Sequence, residues 1–471
     1  MAHEYAFVQS IGTPGAIRLD LSNEPTWRVL AEGTSVDPPP LESTELTTPA
    51  ADGAVIPWSA YRNRTVVLHL QLKAADADAM AAQAQALARE VDRERNTLKW
   101  QPSGASHPVY FRTKRADIVS VEEVTNTHHR FVVEIEADPF AYGAQETLSA
   151  ATVNNDPAAG SNAMAFDVTG VKGDVETPLH LAITASGVVA SGRRKSIVAV
   201  RRRGTPANTP FVIQAESMTL GSSTTLPGND AAMSGSGSNY ARLASLTTTL
   251  AVRLTSSLYP SSASVDTRGT YRVLVRLRQS VGTDAFRLQL QWSGDGTNWI
   301  SQDTVLAPGG TALRLVDLGS LVQLPIGADI ATDGASGDEL AVRGAQFRLL
   351  ASRDSGGTGN LEVDYFLFVP ADDAYLPVLW PGTSGPTTMV IGWDHDRLKT
   401  VLSGRGSSGE IYSPEIPEAA GGMPFVSPGV TNRITFVLDA GSTSSGDTKG
   451  NTASITPYYW PRYLRVRPAT T

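Results

Sequence analysis

Few residue groupings in this chain could do chemistry. Gly404-Arg405-Gly406-Ser407-Ser408-Gly409 has the G-x-G-x-x-G spacing that lets backbone close on a phosphate. That use needs a strand before it and a helix after it. Glu410-Ile411-Tyr412-Ser413-Pro414 follows and is not a helix start, so the segment reads as a flexible hairpin loop. Asp394-His395-Asp396 carries metal-ligand residue types, but on a strand the two carboxylates face one way and the imidazole the other. A solvated turn is the plainer reading. His128-His129 precede a strand with no carboxylate or cysteine at metal spacing, so a surface role is expected. A glycosidase needs two carboxylates flanking a bond, and no spacing among the 47 Asp and Glu residues singles out a pair. No G-x-S-x-G, Walker A, H-E-x-x-H or EF-hand pattern occurs. Cysteine is absent, which removes disulfides, thiolate zinc sites and cysteine nucleophiles.

Composition bounds the fold class. At roughly 100–200 residues per domain, 471 residues predict two to four domains. With 41% hydrophobic and 18% charged residues the chain is globular. Abundant Gly and Pro and short Val/Ile/Leu/Thr runs between turn residues favour an all-β protein. The net charge of −8 argues against a whole-protein role in nucleic-acid binding. The start, Met1-Ala2-His3-Glu4-Tyr5, has no basic and apolar leader pattern, and no apolar run reaches membrane-span length. Synthesis in a cytoplasm, a soluble life and no membrane insertion are expected.

The elements available to position side chains are mostly strands. Residues 1–145 read as one α+β unit. Phe7-Val8, Ile17–Leu21 and Trp27–Leu30 are short strands, Pro38-Pro39-Pro40 is a stiff extended excursion, and Thr65–Leu72 alternates from Val66 onward. A single helix is predicted over about Asp76–Arg95, with Met80, Ala84, Leu87 and Val91 on one apolar stripe. Asp76 and Asp78 near its start and Arg93 and Arg95 near its end suit the helix dipole. Strands follow at Thr97–Trp100, Val109–Arg112, Ile118–Val121 and Arg130–Ala137.

Residues 146–165 are of low complexity and read as a linker or loop. Strand signals resume at Ala165–Val168 and Pro178–Ile183. Arg193–Arg203 is a strand with basic ends. It could face DNA in a channel or an acidic neighbour, and the plainer reading is a solvated strand whose long side chains cover apolar surface. A new unit opens near Phe211 and closes with Gln346–Leu350 and Leu361–Val369. In it Asp295-Gly296, between Trp292 and Trp299, is a hairpin turn signal. Many strands separated by turns indicate a jelly-roll β-sandwich. The remaining strands, Thr387–Ile391, Asn432–Leu438 and Tyr463–Arg467, are too few for a domain of their own, as are those of 165–205. The two pieces are expected to pair, with 210–375 inserted.

The strand ending Ala137-Asp138-Pro139-Phe140-Ala141-Tyr142-Gly143, with the helix before Leu98-Lys99-Trp100, resembles the ring-forming N-terminal domain of the distal tail proteins of long-tailed phages. Gly173-Asp174-Val175-Glu176-Thr177-Pro178-Leu179 and the last strands near Tyr463-Leu464-Arg465 resemble the start and close of that family's galectin-like second domain. The resemblance covers about 1–205 and 376–471. It implies a mainly β, multidomain fold: a ring domain (1–145) with one helix, a split galectin-like β-sandwich (146–209 and 376–471) and an inserted jelly roll (210–375). It further implies a hexameric ring joining the tail tube protein to the tip or hub protein, in the virion, without catalysis. The helix and extended arms of 1–145 would supply the ring contacts.

The insert resembles jelly-roll carbohydrate-binding modules in Gln214-Ala215-Glu216, Gly269-x-Tyr271-x-Val273 and Gly359-Asn360-Leu361-Glu362-Val363-Asp364-Tyr365-Phe366. By that resemblance Glu216 and Asp364 are candidates for a structural calcium, the alternative being surface carboxylates without metal. Trp299, Asn360 and more weakly Tyr240 are candidates for contact with a host glycan. The alternative for Trp299 is cross-strand packing. Met218 and Leu220, in place of more polar residues, and the Gly-rich Ser234–Ser238 loop depart from the pattern. Three functions follow: a ring-forming tail subunit with an accessory glycan-binding domain, a host adhesin with the ring as scaffold, and, least favoured, a tail-associated cell-wall hydrolase.

Overall fold

The computed structural model describes residues 3–11, 17–47, 54–103, 105, 107–149, 151–154, 163–186, 193–202, 211–230, 233–234, 239–257, 269–294, 296–307, 309–311, 313–324, 345–371, 374–381, 387–394, 397–403, 424–439 and 452–464. The protein is mainly β, with one α-helix among the described residues. It forms two compact units. The first comprises residues 1–146, 171–177 and 459–471, and the second 147–170 and 178–458.

In the first unit the strands are β1 (Glu4–Val8), β2 (Ile17–Asp20), β3 (Trp27–Val36), β4 (Leu41–Thr47), β5 (Ala54–Tyr61), β6 (Arg64–Lys73), β7 (Thr97–Gln101), β8 (Val109–Thr125), β9 (His128–Ala137) and β10 (Ala141–Tyr142). The main sheet runs β2-β1-β7-β8-β9-β6-β3, and β4 and β5 form a separate hairpin. Alternation builds its core. Val66, Leu68 and Leu70 of β6 stand opposite Ile135, Val133 and Phe131 of β9, and all six are buried. Because successive side chains point to opposite faces, one register places the whole apolar set on one side.

The helix spans Ala77–Val91 and lays Met80, Leu87 and Val91 into this core, with Ala84 packed at its margin. Asp76 is its N-cap, accepting the Ala79 amide at 2.7 Å, which satisfies one of the donors a helix start leaves open. The helix stops a turn before Arg95, the expected end. Its last buried residue is Val91, and Arg95 itself adopts a left-handed φ of 53°.

Val109–Arg112 and Ile118–Val121, expected as two strands, are one strand of 17 residues. Register shifts at Thr113/Arg115, Ile118/Ser120 and Glu123/Thr125 break the alternation without breaking the ladder. Of β8, β7 pairs only with Val109–Arg112, so beyond that point no strand among the described residues pairs with this side of β8. There Val119, Val121 and Val124 are 59%, 56% and 43% exposed.

The Asp138–Gly143 ending receives the last described strand, Arg462–Tyr463, antiparallel to Ala141–Tyr142. Residues 459–464 are thereby part of the first unit. Gly143 donates to the Pro461 carbonyl at 2.8 Å. Buried Asp138 accepts from the Tyr142 hydroxyl at 3.2 Å and pairs with Lys114 at 3.2 Å. Arg64, fully buried, donates from Nε to the Pro139 carbonyl at 2.8 Å. Burial pushes its guanidinium down to about 10.

In the second unit, strands Ala163–Val168, Asn432–Asp439, Arg193–Arg202 and Ala374–Pro381 form one sheet in that order. His180–Ser186 lies between Thr452–Tyr459 and Thr387–Asp394 in another, where Arg397–Ser403 pairs with Thr387–Asp394. Residues 211–370 make two further sheets that enclose a separate core. A small cluster formed by Leu274, Leu315, Tyr365, Leu367 and Val369 with Tyr375 and Val437 packs one of these sheets on the sheet of Ala374–Pro381 and Asn432–Asp439. The Gly404–Gly409 loop, His395, Asp396, Arg203, Asp295 and Arg465 lie outside the described residues.

Candidate functional site

The calcium and glycan candidates singled out in the sequence, Glu216, Tyr240, Trp299, Asn360 and Asp364, fall in the 211–370 sandwich. One sheet carries Ala241–Leu243, Leu361–Pro370, Gly269–Gln279 and Arg314–Leu324 in order. The other carries Thr219–Leu220, Ala251–Thr255, Gln346–Ser355, Ala285–Ser293 and Ile300–Ala307. Leu288, Leu290, Phe347 and Leu349 face Val273, Val275, Phe366 and Phe368 across the core. The alternate residues of each strand are left on the outer faces.

On the outer face of the first sheet lies a network of paired charges. Buried Glu362 accepts from Arg278 Nε at 2.7 Å, Arg242 Nε at 3.1 Å and the Tyr240 hydroxyl at 3.3 Å. Arg278 also pairs with Asp230. Tyr240, a glycan candidate, is 4% exposed and packs with Met233 and Leu313. Burial raises its hydroxyl above the ordinary tyrosine range, and the Glu362 carboxylate adds to that. Its ring therefore has no open face for a sugar.

Asp364 is fully buried. Its Oδ1 accepts the Ser234 amide and hydroxyl, each at 2.9 Å, and Arg276 pairs with Oδ2. Burial raises this carboxyl above its ordinary range, against the opposing pull of Arg276 and Ser234. Glu216 sits in a 3-10 turn, Ala215–Ser217. A calcium site needs six to eight oxygen ligands around the ion. Here the Asp364 oxygens are already taken by a guanidinium and a serine, and no group of three or more His, Cys, Asp or Glu residues gathers among the described residues. Both Asp364 oxygens are thus spent on groups of the chain itself, Arg276 and Ser234.

Asn360 belongs to a third arrangement. Its amide donates to Ser280 Oγ at 2.7 Å, and its carbonyl accepts the Ser280 amide at 2.9 Å. The loop before it is gathered by Asp284, which is fully buried and accepts the amides of Gly357 at 2.8 Å and Gly359 at 2.7 Å and pairs with Arg353. Burial alone would raise this carboxyl. The two amides and the guanidinium outweigh it and hold Asp284 below its ordinary range.

Trp299 lies in the loop just before Ile300–Ala307 of the second sheet, half-buried, with the Arg348 guanidinium 4.0 Å from its ring centroid. Arg348 donates from Nε to Gln291 Oε1, and Gln291 Nε2 donates to Ser301 Oγ at 2.7 Å. The three glycan candidates are thus held by separate sets of partners and not gathered into one site. Arg348 and Gln291 were not singled out from the sequence. The alternation of Phe286-Arg287-Leu288-Gln289-Leu290-Gln291 marks Gln291 as outward, but nothing local names the strand beside it. Trp292, the other tryptophan of this hairpin, packs against the core.

These features define a multidomain, mainly β protein. The chain is similar, over 97% of its own length and 99% of the other's, to the SPP1 Dit (gp 19.1) protein, described as a paradigm of hub adsorption apparatus in phages infecting Gram-positive hosts, with 9% identity and a TM-score of 0.33. It is also similar to a chain of the phage P2 baseplate in its activated conformation with Ca, covering 79% of this chain and 99% of that one, with 11% identity and a TM-score of 0.24. The corresponding baseplate structure with Sr gives 77% and 98% coverage, 11% identity and a TM-score of 0.23. No protein-family model matches the chain, and no curated protein is similar to it.

Proposed function

We propose that this chain is a structural subunit of a phage tail tip, a distal tail protein whose first unit forms a ring between the tail tube and the tip, without catalysis. The observation that carries this is the edge of β8 that no strand among the described residues covers. Three valines stand exposed there on a strand with unpaired backbone groups, and Leu41 of the β4–β5 hairpin is 61% exposed. Unpaired strand edges that carry apolar side chains favour pairing with another chain. In a cyclic ring each subunit offers one such surface to its neighbour, and rotation closes the set. The Asp138–Gly143 ending, which resembles that of the distal tail family, supports the same reading.

Three domains complete the proposal: the ring domain, a β-sandwich assembled from strands on both sides of the 211–370 segment, and that segment as an inserted jelly roll facing the host. Strand pairing across the insertion supports this division, as between Lys195–Arg202 and Asn432–Asp439. The partners are further copies of the chain, the tube protein and the tip protein. A second reading makes host-glycan adhesion the main role, and Trp299 beside Arg348 favours it. Native mass measurement with negative-stain imaging of purified protein tests the first reading. A closed ring of about six copies is expected. Absence of the protein from the tail tip of intact particles, probed with a labelled antibody, would overturn it.

A further inference from the structure

Strand register in the second sheet of the 211–370 sandwich aligns five side chains in one row. Thr219 stands opposite Thr255, Thr255 opposite Arg348, Arg348 opposite Gln291 and Gln291 opposite Ser301. Directly opposed residues share a face, and this is the outer one, because the neighbours Leu254, Leu290, Phe347 and Leu349 are in the core. Five strands spaced roughly 4.8 Å apart make a row roughly 19 Å long. It carries three hydroxyls and a guanidinium, with the buried Gln291 amide spent on Arg348 and Ser301, and Trp299 stands over Arg348. Gln289 opposite Thr304 adds a second amide and hydroxyl alongside.

Arg348 is unlike most arginines of this sandwich. Arg242, Arg272, Arg276, Arg278, Arg287 and Arg353 each pair with a carboxylate. Among the described residues none pairs with Arg348. Its partners are the Gln291 amide oxygen and the Trp299 ring. Burial lowers its pKa from the ordinary arginine value with no carboxylate opposing the shift. A partly desolvated guanidinium held by a neutral amide keeps free donors for an anion and is already oriented. The Trp299 face turned away from Arg348 suits the apolar face of a pyranose, and the Thr219, Thr255 and Ser301 hydroxyls suit its hydroxyl groups.

We propose that this row binds an anionic polysaccharide lying across the strands, with a carboxylate or phosphate on Arg348 and a sugar ring against Trp299. The inference rests on the glycan-binding part of the function proposed above and names its face and ligand class. The net charge of −8 does not forbid it, because charges farther than about 8 Å are screened at physiological ionic strength.

The test uses the full chain with four immobilised polymers: polygalacturonate, the same polymer with its carboxylates reduced to alcohols, poly(glycerol phosphate) and dextran. Binding to polygalacturonate or poly(glycerol phosphate), weakened at least tenfold by raising salt from low to high concentration and lost on carboxylate reduction where that polymer is the ligand, is expected. Which of the two binds identifies the anion. Arg348→Met and Trp299→Ala should each weaken binding at least tenfold with the melting temperature retained. If either variant misfolds, carboxylate reduction and the salt series on the unaltered protein still decide. Equal binding to the reduced or neutral polymers, or binding unaffected in a folded Arg348→Met protein, would overturn the assignment of this row while leaving glycan binding standing. Binding to none of the four would overturn both.

Discussion

Arg276 and Asp364 form an ion pair inside the 211–370 sandwich, the carboxylate with no exposed surface and the guanidinium side chain 8% exposed. The arginine supplies, from within the chain, the positive charge that a bound cation would otherwise bring to Asp364. Stability of this sandwich is therefore expected not to depend on calcium. Thermal melting with calcium and with excess chelator should give the same midpoint, and a fall of several degrees with chelator would contradict this.

The same pair predicts a large mutational effect. Arg276→Met leaves a buried carboxylate without its counter-charge, a change that costs about 3–5 kcal/mol. Adding Asp364→Asn should recover part of that loss, because the two groups are coupled. Urea melts of the single and double variants measure both, and additive losses would show that the pair does not interact.

Asp284 sets a pH dependence of known sign. Its folded pKa is depressed, so its stabilisation is complete above the unfolded-chain value of about 3.9 and is lost as pH falls through the lower folded value. Asp284→Asn should flatten this acid limb while lowering stability at neutral pH. Gly359→Ala acts on the same loop, since a Cβ there would meet the Asp284 carboxylate and Val281. A loss of about 1–3 kcal/mol is expected from that crowding. Melting curves from pH 2 to 7 test both variants.

Tyr142→Phe removes the hydroxyl that binds Asp138 in the first unit. Lys114 still pairs with that carboxylate, so a loss of about 1 kcal/mol is expected, in the range of one hydrogen bond. Removing residues 459–471 deletes the strand paired with Ala141–Tyr142 and the buried Pro461, and should destabilise the unit far more. Chemical denaturation of the two proteins gives the comparison.

The exposed valines of β8 separate assembly from folding. Val119→Lys with Val121→Lys should leave the melting temperature nearly unchanged, because exposed positions tolerate substitution within about 0.5 kcal/mol. The same change should abolish ring formation in native mass measurements. Rings that persist would place the subunit contact elsewhere.

Several elements of this protein are written locally in its sequence. The alternation Val66–Leu72, the stripe Met80–Leu87–Val91 with its Asp76 cap, and the mainly β character all follow from side-chain period and backbone preference within one element. Periodicity also showed that Gln289 and Gln291 share one face. It did not show that Arg348, 57 residues away, would stand beside Gln291. Nor did it place Arg276 against Asp364, bury Tyr240, or bring Arg462–Tyr463 to the Asp138–Gly143 ending. Those relations depend on which strands pair and in what register. Strand pairing is decided by the burial of whole apolar faces and the closure of long loops, and neither is encoded in the neighbourhood of any one residue. Residue types and faces were set by the sequence alone, and the partners of each charged group were set by the tertiary fold.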